Sequence, residues 1–223
     1  GRMLMATLPV EKVEYIDNWD VLGLRASASH DYRIDGVFVA DTHTYDPVTP
    51  IQRRGGAMFQ AGLAYLASMQ HAGWALGVSK RLLEEVRAQS AQKAARPGVA
   101  TSTDQFYAAY AEMEARYRGA RAFLLQAWSD VERTVDAGEP LTTEQISLIQ
   151  LGTITTNRTA QFIANEIATF AGTALIRESA LQRYFRDVRA SIGQPPIEDI
   201  ALTMIGKAAL GLTGGPPPRP TDA

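Results

Sequence analysis

With 223 residues and 46% hydrophobic content, the chain is long enough to bury a core as one or two domains. A net charge of −2 and an isoelectric point near 6.0 offer no cationic surface for nucleic acid. Cysteine is absent, which excludes disulfides, thiolate metal sites and cysteine nucleophiles and fits a reducing, cytoplasmic setting.

The opening residues Gly1-Arg2-Met3-Leu4-Met5 lack the apolar run and small-residue cleavage site of a secretory signal. Residues 1–45 then read as strands. Val13 and Tyr15 alternate with polar neighbours, as do Tyr32 and Ile34, and Val37-Phe38-Val39 is a short β-branched and aromatic run. Asp17-Asn18 and Asp35-Gly36 are turn formers. Three short strands do not make a stable sheet alone, so this piece must lean on the helical part, another subunit or further chain.

Residues 46–56 form a linker, since Pro47 and Pro50 each remove a backbone donor and keep their predecessors extended. Helices occupy residues 57–212. The first is expected from about Met58 to Lys93, with Leu63, Leu66, Met69, Gly73, Leu76, Leu83 and Val86 on one face. No charge occurs from Gly55 to Ser79, but Gln60, Ser68, Gln70 and His71 punctuate the run. That pattern predicts a helix buried in a bundle or subunit interface, with no membrane span.

Pro97-Gly98 breaks this helix, and Ser102 with Gln105 is the expected capping box of the next. Phe106, Tyr110, Met113, Tyr117, Ala120, Leu124, Trp128, Val131 and Val135 follow at three- and four-residue steps and predict a seam against other helices. Gly138 and Pro140 end it, and Thr142 with Gln145 forms a second capping box. The third helix runs to about Phe170 and stops at Gly172; shorter ones follow around Leu181–Val188 and Ile197–Leu210. Residues 213–223, rich in Pro and Gly, are expected to be a disordered tail. No repeat of fixed period occurs.

Chemistry-bearing motifs are few. The phosphate-cradling Gly-Lys-Ser loop, the Gly-x-Gly-x-x-Gly turn, His-Glu-x-x-His and Gly-x-Ser-x-Gly are all missing. His30, His43 and His71 are too dispersed to predict a metal site, and Ser27, Ser29 and His30 have no evident buried acid to complete a triad. Arg183 and Asp187 stand four apart and are expected to pair, for about 0.3–0.5 kcal/mol. Thr153, Thr155, Thr156, Asn157 and Thr159 form a polar patch that fits either a wet pocket or hydroxyls bonded back to helix carbonyls.

Three stretches occur in a telling order. They are Trp19-Asp20-Val21-Leu22-Gly23-Leu24-Arg25-Ala26-Ser27-Ala28-Ser29, continuing to Val39; Ala75-Leu76-Gly77; and Phe170-Ala171-Gly172 followed by Leu181-Gln182-Arg183-Tyr184-Phe185-Arg186-Asp187-Val188. Together they resemble the C-terminal portion of the acyl-CoA dehydrogenase superfamily, over nearly the whole chain to Leu212. The resemblance implies a mainly α fold, an antiparallel four-helix-type bundle preceded by a short β remnant of the middle domain.

Branch features lean towards the two-component, reduced-flavin monooxygenases. The Trp19-to-Ser29 run and Leu181-Gln182-Arg183 through Arg186-Asp187-Val188 are similar to theirs. After Arg189 the chain reads Ala190-Ser191-Ile192-Gly193-Gln194-Pro195-Pro196, without the Glu-Gly-Thr run that carries the base in many dehydrogenases, and Glu198 lacks that context. The resemblance implies FAD or FMN as cofactor, held at phosphate by Lys93 and by Ala171, Gly172 and Thr173 of a neighbouring subunit. His71, Trp74 and Gln194 would line the substrate pocket. No catalytic residue is identified: Gln194 falls near a position where that branch often places histidine, and glutamine cannot serve as a base near neutral pH.

The implied activity is oxygenation of a small organic substrate, with a flavin reductase as partner and a homodimer or homotetramer formed through the bundle. Two alternatives stand beside it: an FAD-dependent acyl-CoA dehydrogenase, and a non-catalytic fragment serving only as an oligomerising helical domain.

Overall fold

A computed structural model describes residues 4–47, 54–93, 98–191 and 195–212. The first of these stretches carries four short strands: β1 (Met5–Ala6), β2 (Glu14–Ile16), β3 (Asp31–Arg33) and β4 (Thr44–Tyr45). They pair as two antiparallel ribbons, β1 with β4 and β2 with β3, with Tyr15 opposite Tyr32 and Met5 opposite Tyr45. The Asn18 side-chain amide donates to the Asp31 carboxylate at 2.7 Å, and the Asp31 N–H donates back to Asn18 Oδ1 at 3.1 Å.

Val37-Phe38-Val39, expected as a strand, is not one. A strand exists by its ladder partner, and none lies beside this run, so Phe38 is 91% exposed. Among residues 4–47 only Gly23 and Pro47 are buried. The segment meets α4 at Gly23, which lies close against the Arg186 and Asp187 backbone, and at Leu24, whose N–H donates to Asp187 Oδ1 at 2.7 Å.

Five helices follow: α1 (Leu63–Lys93), α2 (Asp104–Asp136), α3 (Thr143–Phe170), α4 (Ala180–Ser191) and α5 (Pro195–Ala209). α1 starts later than expected. A 3-10 turn over Ala57–Ala61 leads into Gly62 at φ +95°, a left-handed residue that a continuous helix cannot contain. The α2 cap also moves by one position: Thr103 Oγ1 accepts the Phe106 N–H at 3.2 Å, in place of the expected Ser102. The α3 capping box is as expected, with Gln145 N–H on Thr142 Oγ1 at 3.1 Å and Thr142 N–H on Gln145 Oε1 at 3.0 Å.

The α2 seam is buried as its spacing predicts, from Phe106 and Met113 through Ala120, Leu124 and Trp128 to Val135, with Tyr110 and Tyr117 half-buried. The expected α1 face holds in the second half and not in the first. Leu83 and Val86 are buried and Leu66 and Leu76 half-buried, but Leu63, Met69 and Gly73 are exposed, and Ala72, Ala75, Val78 and Leu82 are buried in addition. Small side chains let α3 lie close along this face, and the buried Ser79 hydroxyl is satisfied by the Ala75 carbonyl at 2.7 Å.

Two apolar clusters fill the bundle. Leu82, Leu83 and Val86 meet Phe106, Met113, Ile163, Ile167 and Phe170. Ala72 meets Leu124, Trp128, Val131 and Ile149 at the other end. Early α1 thus packs with early α3 and late with late, so these two helices run parallel and α2 runs antiparallel to both. Gly152 permits the α2–α3 approach, since a Cβ there would stand 3.0 Å from Leu124 Cδ1. α4 packs on α1, and α5 on α3. The result is a mainly α, antiparallel bundle with short antiparallel ribbons at its front. Among the described residues, no helix is long and apolar enough to cross a membrane.

Candidate functional site

The end of α3 builds the most distinctive backbone in the bundle. Ala171 is buried, its N–H bonded to the Ile167 carbonyl at 2.8 Å. Gly172 then adopts φ +53°, and a Cβ there would touch nothing. The backbone conformation, and not crowding, therefore calls for glycine. The Ala171 carbonyl takes the Ala174 N–H at 3.2 Å, and the Thr173 carbonyl takes those of Ile176 and Arg177 at 3.1 and 3.0 Å. The N–H groups of Gly172 and Thr173 have no acceptor among the described residues, and both residues are exposed. Two N–H groups without an acceptor on a left-handed turn are donors that can serve an anionic oxygen.

Lys93 stands half-buried in the last turn of α1. Thr153 Oγ1 lies 3.4 Å from the Ser68 carbonyl, which fixes the parallel register of α1 and α3. At 1.5 Å rise per residue, Lys93 then lies about 9 Å beyond Gly172 along the bundle axis. No hydrogen bond or ion pair joins Lys93 to Gly172 or Thr173. His71 and Trp74 occupy one turn in the first half of α1, about 28–33 Å from Lys93 by the same rise. Trp74 is half-buried against the apolar core, and His71 is exposed. Gln194 lies outside the described residues. Within one chain, Lys93 and the Gly172 turn therefore lie apart from His71 and Trp74.

The arginine-rich α4 departs from its expected pairing. Asp187 does not meet Arg183; its carboxylate is taken by the Leu24 N–H. Arg183 lies 5.2 Å from the Tyr184 ring centroid, and Arg81, forked onto Glu84 and Glu85 at 2.7 and 2.8 Å, lies 5.9 Å from the same ring. Arg81 first, then Arg183, hold the Tyr184 hydroxyl below the ordinary phenol range by hydrogen bonding and charge. Arg189 donates to Asn165 Oδ1 at 3.2 Å. No sequence signal joins Arg81 to Tyr184, because the contact exists only once α4 folds back on α1.

The polar patch of α3 is structural. Thr153 Oγ1 donates to the Ile149 carbonyl at 2.9 Å, Thr156 Oγ1 and Asn157 Nδ2 donate to the Thr153 carbonyl at 2.8 and 2.9 Å, and Thr156 and Thr159 are buried. The Ser27 and Ser29 hydroxyls stand 3.3 Å apart, and His30 Nδ1 is 3.6 Å from a fully exposed Asp17, an arrangement without a buried orienting acid. Among the described residues no three His, Cys, Asp or Glu side chains gather as metal ligands.

Comparison with known proteins agrees with this architecture. An indole-3-acetate monooxygenase of Acinetobacter baumannii is 25% identical over 219 residues, covering 97% of this chain and 56% of that protein. The chain spans about half the length of the curated relatives it matches. The 3-HSA hydroxylase of Rhodococcus sp. RHA1 superposes with a TM-score of 0.83 at 19% identity, covering 94% of this chain and 57% of that one. TdsC of Paenibacillus sp. A11-2, solved with FMN and indole, superposes with a TM-score of 0.76 at 20% identity, covering 98% and 57%. The family model for "Acyl-CoA dehydrogenase, C-terminal domain" matches residues 69–193. That match takes in more than half of the chain, from the second turn of α1 to just past α4, and the chain belongs to this family.

Proposed function

We propose that this chain is the helical part of a reduced-flavin-dependent monooxygenase acting on a small organic substrate, in the cytoplasm. The observation that carries the reading is the Gly172 turn, whose two N–H groups without an acceptor among the described residues suit the phosphate of FMN or FAD. The likeness to monooxygenases along the sequence, and to TdsC with its FMN in the fold, supports the same direction.

The roles follow from chemistry and placement. The Gly172 and Thr173 N–H groups donate to phosphate oxygens, and the Lys93 ammonium supplies countercharge. Lys93 and the turn stand apart along one chain, so the reading has them act on one flavin from different copies, in a homodimer or homotetramer packed through the bundle. The exposed, uncharged face of early α1, including Leu63, Met69 and Gly73, is the surface offered for that packing. Trp74 supplies an apolar wall that keeps water from the substrate, with His71 and Gln194 assigned to the same pocket. The bound reduced flavin would supply oxygen activation, and a separate flavin reductase would supply the reduced flavin.

The test is a titration of the chain with FMN and with FAD, read by flavin fluorescence, beside its mass in solution. Micromolar binding by an oligomer is the expected result. Gly172→Ala, which forces a Cβ onto φ +53°, is expected to weaken binding by about tenfold while leaving the helical signal unchanged. No uptake of either flavin by the oligomer would instead favour a bundle that only assembles.

A further inference from the structure

The two most widely separated family-like stretches touch at one point. Gly23 is buried, and a Cβ there would stand 2.2 Å from the Arg186 carbonyl oxygen and 2.7 Å from the Asp187 nitrogen. No side chain fits, so glycine lets the β segment lie directly on the backbone of α4. The next residue, Leu24, is left-handed at φ +56°, a conformation that costs a branched side chain about 1–2 kcal/mol. Its N–H donates to Asp187 Oδ1 at 2.7 Å across 163 residues of sequence, the short length of a charge-assisted bond. The Leu24 carbonyl takes the Ser27 N–H at 3.0 Å and the Trp19 indole N–H at 3.4 Å, and Ala28 closes the turn with a second left-handed residue, φ +47°. A leucine in this conformation persists only where its surroundings over-determine it.

We propose that Asp187 is a positioning residue. Its carboxylate and the space left by Gly23 form a latch that fixes residues 23–28 on α4, the helix that follows the Gly172 turn. The β segment buries almost nothing else, so the latch sets where that segment sits relative to the end of α3. It stands on geometry alone and does not depend on flavin binding.

Arg25 provides the readout. It is exposed within the latched turn, and trypsin can cut after it only when the turn opens. In the unaltered chain the Leu24 amide is expected to be strongly protected from hydrogen exchange; free exchange would overturn the latch outright. Asp187→Ala should raise the rate of cleavage after Arg25 by about tenfold or more. Asp187→Asn, which keeps an acceptor oxygen, should restore most of the protection. Gly23→Ala attacks the same contact from the other side and should open the turn equally. The double variant Gly23→Ala/Asp187→Ala should be cut no faster than either single variant, because both remove one contact. The helical circular dichroism should stay constant throughout. Three outcomes would each refute the proposal: cleavage after Arg25 unchanged in both single alanine variants, Asp187→Asn cut as fast as Asp187→Ala, or additive effects in the double variant.

Discussion

The bundle and the β segment are built on opposite principles. The bundle buries two apolar clusters shared by α1, α2 and α3, with residues such as Leu82, Met113, Ile163 and Val131 fully enclosed. Residues 4–47 bury Gly23 and Pro47, and leave Tyr15, Tyr32 and Phe38 exposed. Two ribbons of two or three residues per strand are too small to supply their own stability. The contrast teaches that the helices stand by burial, whereas the front is held by turns, by the close approach of Gly23 to α4 and by the Leu24–Asp187 hydrogen bond.

The sharpest way to probe that contrast is to open a void on the helical side. Ile163→Ala, at the contact of α3 with α1 and α2, should lower unfolding stability by about 2–5 kcal/mol. Denaturant melting followed by helical circular dichroism reads it, and a loss under about 1 kcal/mol would mean that the bundle is looser than its burial implies. Thr142→Ala removes one side of the α3 capping box and should cost about 1 kcal/mol in the same assay. Tyr32→Ser, on the exposed face of β3, should leave the melt within about 0.5 kcal/mol of the starting protein. A larger loss would show that the front contributes to bundle stability.

The smallest effect concerns ionisation. Arg81→Gln should return the Tyr184 hydroxyl towards ordinary phenol behaviour, seen as a shift to higher pH in one component of an ultraviolet tyrosine titration. A phenol whose folded pKa is depressed contributes its full stabilisation above its unfolded pKa, and that contribution disappears as pH falls through the folded one. Below that window the substitution should be nearly silent in the melt. A large neutral-pH loss would mean that the α1–α4 contact relies on Arg81 itself.

Local features are legible in the sequence and relational ones are not. The α2 seam and the Thr142–Gln145 box depend on spacing within a few residues, and both are present. The stop at Gly172 can be read, but not that its amides are free, since that requires knowing where every neighbouring acceptor is used. The first half of α1 is apolar and small on all sides, so periodicity points to the wrong face; the approach of α3 decides it. Val37-Phe38-Val39 has strand composition without a partner to pair with. The pairing of Arg183 with Asp187 is reasonable on helical spacing, yet a backbone amide from the far end of the chain takes the carboxylate.

The parallel course of α1 and α3 has an electrostatic consequence. Both helices direct their C-terminal ends to the same pole of the bundle, where the helix dipoles place partial negative charge. The start of α2 lies at that pole too and offsets part of it. An anion arriving there meets the wrong end of two helix dipoles, so its attraction must come from elements that overcome them. On the proposed reading, the left-handed Gly172 turn and Lys93 in the last turn of α1 would have to overcome that field.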